Sequence, residues 1–172
     1  MGRRLRFRGE GRQKVDKKGR VSIPASFRRV LEAGDPGWDT GKQPEFVIVY
    51  GDHRRNYLEC YTIAAIEDVE ERIEEMPRGS SERRLLERTF SGMSADVVVD
   101  DTGRFVLTQK LRDKIGVNLD SEAFFIASGD TFQIWNPDTY EQEQARTEQL
   151  LDDLPEDVDV LALLPRKKPQ GD

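Results

Sequence analysis

The chain has 172 residues, of which 36% are hydrophobic and 35% charged, with a formal net charge of −6. That length suffices for one domain or two small ones with a real core. No apolar run approaches a membrane span, the basic start lacks the apolar segment of a signal peptide, and a single cysteine, Cys60, excludes an internal disulfide framework and suits the cytoplasm.

Read whole, an acidic chain argues against nucleic acid; read by segment, it does not. Residues 1–29 carry 11 Lys/Arg against Glu10 and Asp16, a net of +9, and the remainder carries −15. A clustered basic face binds phosphate while an acidic remainder maintains solubility. Arg3, Arg4, Arg6 and Arg8 either extend that face or form a solvated arm.

In chain order, residues 1–5 read as a flexible basic arm and 6–14 as extended. Val15 to Leu31 reads as strand, turn, strand and helix. Gly19 supplies positive φ at the turn, Asp16 accepts turn amides, and Val21 and Ile23 alternate with Ser22 at strand period. Pro24 suits a first helical position, and Phe27, Val30 and Leu31 form the apolar side of the helix while Arg28 and Arg29 face outward. Residues 34–41 are turn-rich. Phe46 to Tyr50 and Tyr57 to Tyr61 predict a hairpin, with Cys60 buried in its second strand. Thr62 caps a helix carrying Ile63, Ile66, Val69 and Ile73. A second helix opens at Ser80 or Ser81 and runs through Leu85, Leu86 and Phe90; both stripes are expected to be core or to face neighbouring subunits. Val97 to Val99, a helix from Gln109 to Ile115, and strands at 124–126 and 132–135 follow. Asn136-Pro137 opens a helix to about Leu151, and beyond Leu154 an acidic, Pro-punctuated tail offers little to bury.

The first turn recurs. Asp16, Gly19 and Arg20 match Asp100, Gly103 and Arg104 at a constant offset of 84, and the flanking Val15, Ile23, Phe27 and Arg28 match Val99, Leu107, Leu111 and Arg112. Asp-x-x-Gly-Arg alone is a weak motif; repeated with its hydrophobic flanks in register it marks two copies of one supersecondary unit. Each copy has too few strands for a stable core alone, so the two are expected to close on each other.

Lys14-Val15-Asp16, Gly19-Arg20-Val21, Ile23-Pro24 and Arg28-Arg29 resemble the DNA-binding half of AbrB-type transition-state regulators. Two such units, an opening Phe7-Arg8-Gly9 and the Phe132-Gln133-Ile134-Trp135 strand together resemble the MraZ family of bacterial regulators encoded with division and cell-wall genes. The resemblance spans about residues 6–150. It departs at the basic lead 1–5, at an insert around 35–44, and at Thr108, where the first copy has Pro24. It implies an α+β chain in which two AbrB-like units form an intramolecular swapped-hairpin β-barrel with flanking helices. The implied organisation is an arm at 1–5, units at 6–62 and 93–140, a helical connection at 63–92, a C-terminal helix at 141–153 and a flexible tail at 154–172. Implied partners are double-stranded DNA, at G-rich direct repeats near the promoter of its own operon, and further copies of the chain in a ring, with no membrane. The implied location is the cytoplasm, on the nucleoid.

The residues themselves supply a DNA mechanism. Arg20 and Arg104 present planar forks suited to guanine O6 and N7. Asp16 and Gly19, and equally Asp100 and Gly103, are expected to brace those turns. Lys14, Lys17, Lys18, Arg28 and Arg29 suit phosphate contacts, which set affinity rather than sequence. An enzyme is not expected. His53 is the sole histidine, no Cys pair or nucleotide-binding glycine loop is present, and the acidic run at 67–75 reads as a solvated helix face. No cofactor or metal is implied. The rival reading is an AbrB-fold antitoxin or protein-interaction module that captures its partner with residues 155–172; such antitoxins usually carry one unit, whereas this chain carries two.

Overall fold

A computed structural model describes residues 5–169. The expected arm, save Leu5, and the last three residues of the expected tail lie outside them. Of the described residues, those up to Pro137 form one compact unit and those from Asp138 onward a second.

The first unit is mixed α and β. The first copy supplies strands β1 (Glu10–Val15) and β2 (Arg20–Ser22), helix α1 (Ala25–Ala33), and strands β3 (Glu45–Val49) and β4 (Tyr57–Thr62). Helices α2 (Ile63–Glu74) and α3 (Ser81–Glu87) follow. The second copy repeats the order with β5 (Ser94–Val98), β6 (Arg104–Val106), α4 (Gln109–Ile115), β7 (Ser121–Ser128) and β8 (Thr131–Trp135). The offset of 84 thus carries β1 onto β5, β2 onto β6 and α1 onto α4 at their first residues.

All strands join one antiparallel sheet in the order β5-β3-β4-β8-β7-β1-β2-β6. The copies interleave: β1 pairs with β7 of the second copy and, reciprocally, β5 with β3 of the first. β4 pairs with β8, and β2 with β6. In the last pair Val21 lies opposite Phe105, its own counterpart at offset 84, so a pseudo-twofold axis passes between them. Among the described residues no ladder joins the terminal strands β5 and β6, but Asp100 N donates to Arg104 O at 2.7 Å, matching Asp16 N to Arg20 O at 3.1 Å in the first copy.

Interleaving lets both copies fill one core. Phe132 lies against Phe7, Phe27, Phe46 and Phe125 at centroid separations of 5.0 to 6.0 Å, and Phe105 packs edge-on to Phe46 at 5.4 Å. These rings are all buried, with Phe7 anchored by its N–H on Gly129 O at 2.8 Å. Truncating a buried Phe typically costs about 3–5 kcal/mol. Cys60 is fully buried, as expected of its strand.

Pro24 sits one residue earlier than expected, as the cap before α1 rather than inside it, with φ −52° and ψ 137°. Thr108 holds the same place before α4 with φ −63° and ψ 161°, and its hydroxyl makes no cap bond. Both positions need only extended backbone, so the Pro-to-Thr difference between the copies leaves the local geometry alike. Thr62 does cap α2, accepting from Ala65 N at 3.1 Å. Ile66 and Ile73 are buried, but the second stripe departs from a core role: Leu85 is 65% exposed, and α3 passes into a wider π-type turn at Arg88–Gly92.

In the second unit, helix α5 (Pro137–Asp152) buries no side chain and carries polar pairs along its length, among them Tyr140 to Gln144 at 3.1 Å and Gln149 to Asp153 at 2.9 Å. A short helical turn at Val160–Leu163 is capped by Asp159, and Leu161, Leu163 and Leu164 are exposed. Among the described residues no helix is long and apolar enough to cross a membrane.

Candidate nucleic-acid interface

The two Asp-x-x-Gly-Arg turns flank the pseudo-twofold axis. In the first, one oxygen of Asp16 accepts from Lys18 N and Arg20 N, each at 2.8 Å, and the other from Arg20 Nε at 2.7 Å. One carboxylate therefore fixes both the turn and the arginine that leaves it. The backbone N–H of Arg20, its guanidinium and the N–H of Lys18 favour the charged form, holding Asp16 at about 2.

The second turn is built differently. Asp100 accepts from Thr102 N, Thr102 Oγ1 and Arg104 N at 2.7 to 2.9 Å. Arg104 Nε donates instead to Thr102 Oγ1 at 2.8 Å and stands 4.0 Å from the carboxylate. The expected direct brace of Arg104 by Asp100 is thus relayed through a hydroxyl, because Thr102 occupies the place of Lys18. Asp100 is also held below the ordinary carboxylate value, first by the Arg104 N–H and then by the Thr102 hydroxyl.

Each turn is locked to the other copy. Ile23 N donates to Gly103 O at 2.8 Å and Leu107 N to Gly19 O at 2.7 Å. Arg112 donates through Nη1 to Leu107 O at 2.6 Å, beneath Gly19. Its counterpart Arg28 lies beneath Gly103 and stands 3.3 Å from Glu32 through Nε, an ion pair without hydrogen-bond alignment. Arg28 Nη1 therefore lies against the opposite turn, a position its helical spacing does not reveal. Arg112 was legible as its match at offset 84, and that offset alone was the signal for its role.

Gly19 (φ +79°) and Gly103 (φ +78°) both occupy left-handed backbone, where any Cβ costs about 1–2 kcal/mol. At Gly19 a Cβ would also stand 2.9 Å from Leu107 O, whereas at Gly103 the nearest atom is Arg28 Nη1 at 3.3 Å, on a flexible side chain. Gly19→Ala should therefore lower the melting temperature more than Gly103→Ala. Equal losses in thermal unfolding would show that the backbone contact relaxes.

Outside these shared groups the copies diverge in charge. Arg12, Lys14, Lys17, Lys18 and Arg29 stand where the second copy has Asp96, Val98, Asp101, Thr102 and Asp113. Lys14, Lys17, Lys18 and Arg29 are exposed, and Lys14 lies opposite Glu122 in the β1–β7 register. The copies share the Asp, Gly and Arg of the turn; the exchange of Lys18 for Thr102 alters the brace as well as the charge, and the other differences alter the field the copies project.

Because Val21 and Phe105 point into the core, Arg20 and Arg104, their neighbours along β2 and β6, lie on the outer face of the two-stranded ribbon. The ribbon thus presents two half-exposed arginines on one face, with the first copy's cations beside them.

A family profile described as "MraZ protein, putative antitoxin-like" matches residues 6–89. Over 165 residues the chain is 65% identical to a protein of Ruegeria sp. (strain TM1040) named Transcriptional regulator MraZ, covering 95% of this chain and 96% of that one. The chain belongs to the MraZ family. A protein of the same name from Ruegeria pomeroyi is 64% identical over 160 residues, covering 92% of this chain and 95% of its own length. Another from Legionella pneumophila (strain Corby) is 30% identical over 161 residues, 91% of this chain and 99% of that one. The MraZ likeness therefore extends past the stretch of 6–150 that suggested it. These MraZ relatives bear the names of regulators, which fits the expectation of a non-enzyme. Among the described residues no three His, Cys, Asp or Glu side chains gather as metal ligands would.

The pH behaviour of the first turn follows from its hydrogen bonds. Asp16 has a lower folded than unfolded value, so its bracing is complete above the ordinary 3.8 and is lost as pH falls through about 2. The Arg20 Nε–H resonance is expected to stay constant from pH 8 down to about 5 and to move only in that acid window. A midpoint near neutrality would show that a different group holds the arginine.

Proposed function

We propose that the chain is a sequence-specific DNA-binding transcriptional regulator acting on the division and cell-wall gene cluster, its own operon included, at G-rich direct repeats. One observation carries the reading: Arg20 and Arg104 leave two braced turns on the same face of a ribbon, and B-DNA's major groove admits such a ribbon. The MraZ names of its relatives support the regulatory part. Lys14, Lys17, Lys18 and Arg29 contact phosphate in this reading, while Arg28 acts through the Gly103 turn.

The interleaved pairing supports an intramolecular swapped-hairpin barrel built from units at 6–62 and 93–140, joined by helices at 63–92 and followed by a C-terminal helix and tail. Oligomerisation into a ring is supported by exposed Leu85 on a groove of about 810 Å³ that also includes Leu86, Phe90, Met93 and Tyr57. The chain works in the cytoplasm on the nucleoid and uses no cofactor. A footprint of the region upstream of its own operon, paired with light scattering of the free protein, tests the reading. Protection of G-rich repeats by a multimer is expected; an unprotected region or a monomer counts against it. Weak, salt-insensitive retention on heparin would favour the antitoxin-like alternative instead.

A further inference from the structure

We infer that Val106 reads a thymine methyl group beside the guanine read by Arg20. The inference rests on the DNA-binding reading and deepens it.

In the β2–β6 pair, Arg20 stands opposite Val106 and Ser22 opposite Arg104. Val21 and Phe105 are 0% and 2% exposed, so these four lie together on the outer face. Val106 is 52% exposed. A single exposed apolar side chain is ordinary on a protein surface. Its place is not: it lies among arginines on the face proposed to enter the groove, at the position the first copy gives to Ser22.

Thymine's C5 methyl is an apolar feature that base pairs present in the major groove, and small apolar side chains contact it there. Directly opposed residues in an antiparallel pair have Cβ atoms about 4.5–5.5 Å apart. That span lies between one and two base steps of roughly 3.4 Å each, so opposed side chains fall over different base pairs. With Arg20 on guanine O6 and N7, Val106 comes over the adjacent base pair. Contact with the methyl buries apolar surface on both sides, while any other base edge there would lose a water partner against the valine.

The same pairing breaks the pseudo-twofold symmetry of the reading face. Arg104 is accompanied by Ser22, whose hydroxyl accepts or donates and imposes no demand for a methyl. A ribbon with identical halves would favour an inverted repeat. This one distinguishes the two ends of its site, as a direct repeat requires.

The test uses the full-length chain and duplexes it selects from a randomised library. Each thymine in the selected site is replaced singly by deoxyuridine, which removes the methyl and nothing else. At a thymine next to a guanine the wild type should lose about fourfold in affinity, the worth of one buried methyl. Val106→Ser should bind the thymine and deoxyuridine duplexes equally, with native circular dichroism. Val106→Thr, which keeps the branched shape, should also show a reduced preference and replaces the serine variant if that one fails to fold. Specific binding that Arg20→Ala weakens, but that ignores every methyl, overturns the role of Val106 and leaves the DNA reading standing. Undiminished methyl sensitivity in both Val106 variants overturns it equally. A folded wild type that selects no sequence overturns both.

Discussion

Arg20→Ala is expected to lose about 1–3 kcal/mol of discrimination for the guanine it is proposed to contact, while its circular dichroism and melting curve stay close to wild type. The geometry explains why function and fold separate here. Asp16 still accepts from Lys18 N and from the backbone N–H at position 20, both independent of the side chain, so the turn keeps two of its three bonds. The lost Asp16–Arg20 ion pair is partly exposed, and such pairs contribute little to stability. Competition with a duplex whose guanines are replaced measures the loss. Unchanged preference for the G-rich site, or a variant that no longer folds, would overturn the assignment of Arg20 as a base reader.

The double replacement Lys17→Ala with Lys18→Ala should flatten log K against log salt by one to two units, about 0.9 for each lysine that touches a phosphate. Replacing Lys110 and Lys114 should change the slope much less. Those two are already committed within the fold: Lys114 Nζ donates to Asp52 O at 2.9 Å, and Lys110 Nζ lies 5.1 Å from the centre of the Tyr50 ring. Lys17 and Lys18 are exposed at the tip of a turn, where the second copy has the anionic Asp101 and the neutral Thr102. Arg104→Ala should still impair recognition, since the task proposed for it is the base and not the phosphate. Equal slope losses from both pairs of lysines would show that the two copies grip DNA alike.

The sequence disclosed what is local. Asp16, Gly19 and Arg20 lie within five residues, and their turn chemistry is written in residue types, so the motif and its recurrence were legible without any partner. The same holds for the Thr62 cap and for helix α4, found where expected at Gln109–Ile115. Choices made over long separations were not legible. Nothing in the hydrophobic pattern of β1 says that it pairs with β7 rather than with a strand of its own copy, because alternation fixes which face is buried but not the neighbour. Arg28 reads as an outward residue on a helical wheel, yet its guanidinium reaches under Gly103 of the other copy. Leu85 fits an apolar stripe, yet it is exposed, since an apolar pattern marks a face but not what covers it. Thr102 in place of Lys18 was visible as a difference, but only the geometry shows that its hydroxyl takes over part of the carboxylate's work.

The pairing of β1 with β7 also sets an order of events during synthesis. Glu10 and Ile126 are partners although more than a hundred residues separate them along the chain. At about 5–20 residues per second, the first strand waits on the order of ten seconds on the ribosome before its partner emerges. During that interval β2 is its only local neighbour, and its other edge carries unpaired amides and carbonyls, the kind of template that recruits strands from foreign chains. Arg12 and Lys14, exposed along β1, discourage such pairing, as lysines on edge strands do elsewhere. Together with Arg12, the Lys14 charge proposed to serve DNA thus also disfavours aggregation of a nascent, half-finished sheet before the second copy arrives to complete it.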